Sequence, residues 1–180
     1  MALGTFTLHQ GLDTLSRLWR ARRAKRLALS RAQLPPSILS LPQIEALSLS
    51  QCFVGSQAAG AAEVVVGPAL RELRFSDSNF YVEHLRVESD KLSDFRLAQD
   101  QDYAEHSMDR ITFRAPSLWR VAHTAEWPTH IHFIGPFPYL RRKFIEIKAG
   151  DYSVPKVEVE GVPDDHPLRK IRFPKRTRVR

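Results

Sequence analysis

Cysteine is almost missing from this chain: Cys52 stands alone among 180 residues. A single thiol excludes an intramolecular disulfide and any zinc site built from several cysteines. It is compatible with a reducing compartment without establishing one. No stretch reaches the roughly 18 consecutive apolar residues that a membrane-spanning helix requires. Catalytic signatures are absent too: the chain contains no GxSxG, GxGxxG, P-loop or HExxH, and GSQAAG and VVVGPAL lack the lysine and the logic of a phosphate loop. No nucleophile–histidine pairing is visible around Cys52, whose small-residue surroundings fit a buried, inert thiol.

Acid is what the two ends lack. The net charge is +7, but it is unevenly laid out. Residues 1–44 sum to +6, residues 45–90 to −4, residues 91–140 to −1 and residues 141–180 to +6. A neutral to acidic middle is thus flanked by two basic ends, a layout that suits a compact core with polyanion-gripping extensions. Arginine far outnumbers lysine, and guanidinium holds phosphate bidentately. An apolar content of 43% is ordinary for a globular chain with a real core.

Periodicity divides the chain. Leu8, Leu12, Leu15, Leu18 and Trp19 recur at helical spacing and predict a helix that starts near Thr7 or Gly11 and ends before Pro35, with 30–34 as its last turn. Arg22 and Arg26 overwrite the apolar stripe, so a long coiled coil is disfavoured. From Glu63 onward, period-2 alternation predicts strands over 63–67, 70–75, 80–88, 110–113, 129–135, 143–150 and 156–161. The last two read as a hairpin, and 92–109 as a polar, helical stretch. No internal repeat stands out. The expected fold is α+β: an N-terminal basic helix, a mostly antiparallel β core and an extended basic C-terminal arm. In domain terms, 1–36 is a basic helical extension, 37–62 a small-residue connector, 63–166 an α+β core and 167–180 the basic arm.

Three chemistries compete for these residues. A metal would draw on His123, Glu126, His130 and His132. His130 and His132 would share one face of a strand, but Pro128 breaks the helix needed to align Glu126 with them, and a surface or structural role explains these residues as well. Asp100, Asp102, Glu105 and Asp109 read as a solvated face rather than an acid–base pair. Neither a metal, a cofactor nor a small-molecule substrate is expected, and no enzyme. Nucleic-acid binding has the stronger physical case. The candidate phosphate contacts are Arg17, Arg20, Arg22, Arg23, Lys25, Arg26 and Arg31 at the start, then Arg141, Arg142 and Lys143 beside Tyr139. Arg169, Lys170, Arg172, Lys175, Arg176, Arg178 and Arg180 follow in the C-terminal arm. Tyr139 could stack a splayed base while its neighbours hold the backbone, whereas Phe137 is expected in the core.

Residues 1–34 also carry the Arg-, Leu-, Ala- and Ser-rich, acid-poor composition of a mitochondrial presequence. Taken together, these features lead to the expectation of a non-catalytic structural subunit of a mitochondrial ribosome. Its basic ends would bind rRNA phosphate, and its acidic middle would meet neighbouring ribosomal proteins. The competing expectation is an accessory subunit of a respiratory-chain or other organellar membrane complex.

Overall fold

The computed structural model describes residues 5–9, 24–55, 61–99, 108–124, 130–148 and 154–173. The repeating unit is visible in the inward residues. Ile44, Leu47, Leu49, Cys52 and Val54 are buried, as are Leu70, Leu73, Phe75, Ser78 and Phe80 in the next turn of chain. The spacing between successive members is the same in both sets. It begins again at Leu27, Leu29 and Leu34, and at Leu92, Phe95 and Leu97, with Leu118 and Val121 following. Each set is one coil of a parallel β-solenoid.

Stacking these coils makes three sheets. The first, sheet A, has seven strands: β1 (Thr5–His9), β2 (Arg26–Ser30), β4 (Ala46–Ser50), β7 (Glu72–Ser76), β10 (Asp94–Ala98), β12 (Arg120–Thr124) and β14 (Ile145–Ile147) lie side by side in that order. Sheet B is a short corner ladder of β3 (Gln33–Leu34), β5 (Phe53–Val54) and β8 (Asn79–Phe80). Sheet C closes the opposite wall with β6 (Ala61–Val65), β9 (Val82–Glu88), β11 (Arg110–Arg114), β13 (His130–Ile134) and β15 (Lys156–Glu160). Every pairing among the described residues is parallel.

In-register stacking puts like on like. Leu27, Leu47, Leu73, Phe95, Val121 and Ile145 form one inward column of sheet A, and Leu29, Leu49, Phe75, Leu97, His123 and Ile147 form the next. Sheet C answers with Val64, Leu85, Ile111, Ile131 and Val157. Six phenylalanines bridge the walls in a chain of ring contacts: Phe80 to Phe75 at 4.6 Å, Phe75 to Phe95 at 6.1 Å, Phe95 to Phe113 at 4.9 Å, Phe113 to Phe133 at 5.1 Å and Phe133 to Phe137 at 5.5 Å. All but the stacked pair Phe113–Phe133 meet edge to face, a geometry that adds to simple burial. Gly67 marks a tight approach between turns, since a Cβ there would lie 2.5 Å from the Leu41 carbonyl oxygen.

The expected fold is therefore corrected. The core is a parallel solenoid and not α+β with antiparallel pairing. Where a long N-terminal helix was expected, the described parts are the strands Thr5–His9, Arg26–Ser30 and Gln33–Leu34; residues 10–23 lie outside the described residues. The strands expected at 143–150 and 156–161 do not form a hairpin, because β14 belongs to sheet A and β15 to sheet C. Asp94–Ala98 is a central strand inside the stretch expected to be helical. The C-terminal arm begins with a 3₁₀ turn, Pro167–Lys170, whose Leu168 is buried. A repeat is present after all, with stacked partners 20 to 26 residues apart, as in Leu27 to Leu47 and Leu47 to Leu73.

Phe75 sits at the centre of the aromatic chain with 2% of its surface exposed. Phe75→Ala is expected to cost about 3–5 kcal/mol, the usual range for emptying a packed aromatic site. Urea unfolding of the two chains measures it. A loss under about 1 kcal/mol would contradict the packing.

Candidate binding face

The outward positions of sheet A form three columns. Arg26, Ala46, Glu72, Asp94 and Arg120 run along the first, and Ala28, Ser48, Arg74, Arg96, Ala122 and Glu146 along the second. Ser30, Ser50, Ser76, Ala98 and Thr124 run along the third. Strands about 4.8 Å apart bring charges on neighbouring rungs within reach of one another. Asp94, only 4% exposed, is held by Arg74 at 3.2 Å and by Arg96 at 2.8 Å. Arg74 also reaches Glu72 at 3.1 Å, which Arg26 approaches to 3.9 Å. The middle of the face is thus a lattice of arginines locked onto carboxylates. Beside it, the small side chains of Ala28, Ala46 and Ser48 floor a depression of about 170 Å³ rimmed by Arg26, Glu72 and Arg74.

A second feature lies at the other end. Trp119 and Phe144 immediately precede Arg120 of β12 and Ile145 of β14, and their rings meet edge to face at 4.9 Å. Lys143 Nζ stands 4.7 Å above the Phe144 ring, a cation–π contact. Glu146, the outward acid of β14, is bound by Lys148 at 2.8 Å, which holds its carboxyl below the ordinary range.

The outer face of sheet C is differently built. Glu63, His84, Arg110, His130 and Lys156 stack in one column, and Val65, Arg86, Thr112, His132 and Glu158 in the next. His84 lies 3.1 Å from Glu63 through Nδ1 and 2.9 Å from the Thr112 hydroxyl through Nε2. Arg86 pairs with both Glu63 and Glu88. His132 Nε2 is 3.1 Å from Glu160 Oε1, but off the line of a hydrogen bond.

The structure sorts the residues singled out by sequence. Arg17, Arg20, Arg22, Arg23, Lys175, Arg176, Arg178 and Arg180 lie outside the described residues, as do Asp100, Asp102, Glu105 and Glu126. Lys25 pairs with Glu45 at 2.6 Å, and Arg31 donates from Nε to Gln51 Oε1 at 2.9 Å. Arg26 joins the sheet A lattice. Arg169 donates to the Val162 carbonyl and Arg172 to the carbonyls of Arg169 and Ile171, so both are engaged with backbone. Arg141, Arg142, Lys143 and Lys170 are exposed, and Tyr139 is 62% exposed, while Phe137 is buried as expected. His123 faces inward in sheet A, whereas His130 and His132 face outward from sheet C, so the three do not converge. No cluster of three or more metal-binding side chains occurs among the described residues.

Cys52 is fully buried, and its thiol is pushed up by that burial. It sits 3.5 Å from the Leu29 carbonyl and 3.4 Å from that of Ser50, while its own N–H donates to the Ser78 hydroxyl one coil on. The thiol is a rung of the corner ladder, not a nucleophile in waiting. Sequence reading missed the outer columns of sheet A, whose signal was the recurrent alternation in RLALS, ALSLS and ELRFS. No protein family, curated protein or solved structure matches this chain.

Burial holds the His84 imidazole below its ordinary value, against the pull of the Glu63 carboxylate. A histidine with a lowered folded pKa takes up its proton more readily when unfolded. Its stabilising contribution is complete above about pH 6.5 and is lost as the pH falls below it. The melting temperature is therefore expected to drop between about pH 7.5 and about pH 5.5, and to drop less in His84→Gln. Equal drops in the two chains would show that His84 does not contribute.

Proposed function

We propose that this protein is a non-catalytic scaffold that docks a macromolecular partner on the outer face of sheet A. One observation carries the reading: the outward columns of six successive strands, β2 to β14, form a continuous wall of small and charged side chains, every one of them at least partly exposed except Asp94. Its centre is rigid, because Arg74, Arg96, Glu72 and Asp94 hold one another. Stacked repeats make extended binding surfaces of this kind. The spacing Ile44-x-x-Leu47-x-Leu49-x-x-Cys52-x-Val54 is similar to that of leucine-rich repeats, whose strands line such a face. A photo-crosslinking residue at Ser48 or Ala122, on sheet A, is expected to trap one and the same partner in cells. The same residue at Val65, exposed on sheet C, is expected to trap none. Crosslinking from Val65 alone would sink the proposal.

The ribonucleoprotein reading narrows the partner further. It takes its support from the basic ends of the sequence and from exposed Tyr139 beside exposed Arg141, Arg142 and Lys143. On it, the chain is a structural subunit of a mitochondrial ribosome with rRNA against those residues. The competing placement is an organellar membrane complex, where the same cations would meet acidic subunits or lipid headgroups. Among the described residues no helix is long and apolar enough to cross a membrane. Sedimentation of the tagged protein from detergent-solubilised organelles, with and without ribonuclease, separates the two. Nuclease-sensitive comigration with a ribosomal subunit is the result expected for the ribosome, and nuclease-resistant migration would exclude it.

A further inference from the structure

We propose that the β12–β14 end of sheet A is the hot spot of that face, built to hold an acidic segment of a protein partner around Trp119 and Phe144. The inference rests on the scaffold reading alone, to which it adds the anchor and the chemistry of the partner; it gives Arg141, Arg142 and Lys143 to carboxylates and so competes with the placement of rRNA against them.

Trp119 occupies a repeating corner. Its N–H donates to the Ser93 carbonyl at 3.0 Å, as that of Ser93 donates to Arg71, that of Arg71 to Glu45 and that of Glu45 to Lys25. The same corner is thus filled by lysine, glutamate, arginine and serine on other coils, so the fold does not demand an indole there. Trp119 nevertheless stands 36% exposed, with Phe144 half-buried against it. A partly exposed tryptophan steadied by a second ring, next to Arg120 in the chain and with Lys143 over that second ring, has the chemistry of an interface anchor.

Charge selects the occupant. In the middle of the face each acid is matched by an arginine. At this end the balance fails: Arg120, Arg141, Arg142 and Lys143 make no ion pair among the described residues, and the one neighbouring acid, Glu146, whose charge Arg120 also feels, is bound by Lys148. Four cations beside an aromatic anchor complement a carboxylate-rich segment and would steer its approach. A nucleobase fits less well. Phe144 already carries Lys143 over its ring and Trp119 against it, so the pair is not laid out as an open stacking platform. The depression rimmed by Arg26, Glu72 and Arg74 is a poorer acid receptor, because its arginines already face Glu72.

The test is a titration of the full chain, labelled with ¹⁵N, by a blocked peptide that alternates aspartate and leucine. The indole N–H of Trp119 is assigned by loss of its signal in Trp119→Phe. The peptide is expected to shift that signal saturably, and its asparagine-for-aspartate analogue is expected not to. Trp119→Ala and the double variant Arg142→Glu, Lys143→Glu should each weaken binding at least fivefold. The double variant changes only exposed side chains and so guards against loss through misfolding. Peptide binding that leaves the Trp119 signal in place would overturn the proposal. So would a uridine-rich oligonucleotide that moves the signal where the peptide does not, or dilution alone moving it through self-association. If crosslinks still form from Ser48 and Ala122 while the peptide fails, the hot spot is refuted and the scaffold stands. Crosslinks confined to sheet C would instead remove the scaffold itself.

Discussion

The rest of the structure depends on one constraint, that each coil must return the backbone to the same place one strand spacing away. The hydrogen bonds at the two ends of sheet A enforce it. At the entry corner the N–H groups of Glu45, Arg71, Ser93 and Trp119 each donate to the same corner residue of the preceding coil. At the exit corner Arg31 donates to Ser50, Gln51 to Ser76 and Asp77 to Ala98. Those three exit residues share a left-handed backbone near φ 50°, an uncommon conformation away from glycine that is tolerated because the ladder around it is fixed. Everything between the corners is free to vary in length, and does. The stacked partners are 20 residues apart between β2 and β4 but 26 apart between β4 and β7, where the longer coil carries the sheet C strand β6 and the shorter one the 3₁₀ turn Pro36–Ser40, and the register of sheet A is the same in both.

That freedom explains what could and could not be read from the residues. Most strands from β6 onward announced themselves by alternation, because one face of each is buried and the other is not; β10 was instead expected to be helical, and no strand was expected at β12. Alternation reports faces only; it is silent about which strand lies beside which and in what direction. A parallel stack shows itself through the recurrence of Ile44-Leu47-Leu49 in Leu70-Leu73-Phe75 and Leu92-Phe95-Leu97. Here the recurrence is blurred by unequal coils and by the interchange of leucine, phenylalanine and valine at equivalent inward positions. β2 and β4 were hidden more deeply. RLALS alternates, but it lies beside a leucine stripe that also satisfies helical spacing, and the serines of ALSLS read as linker.

The candidate face was legible only in its charges. Arg26 was singled out as a phosphate contact. The fold places its guanidinium 3.9 Å from Glu72, at the edge of a lattice that only stacking could assemble. Tyr139 and Phe137 illustrate the opposite case. They are two residues apart in one turn, yet one is open to solvent and the other closes the aromatic chain. Pattern alone gives such neighbours similar weight; the wall they stand against decides.

The arrangement of ion pairs along sheet A has a directional consequence. An exposed salt bridge contributes little to stability, but Asp94 is nearly buried and shared by two arginines, so its removal would leave Arg96 without an ion-pair partner and Arg74 with Glu72 alone. The lattice therefore fixes the middle of the wall as a neutral, stiff platform. A charged partner gains nothing by displacing pairs already formed there. It gains where cations lack partners, and among the described residues of this wall that is the end carrying Arg120 and the turn through Lys143. A partner guided by charge should therefore engage the wall from that end first and lie back over its small residues. Ala122 and Ser48, which project no bulk, leave room for it on either side of the paired Arg74 and Arg96 in the same column.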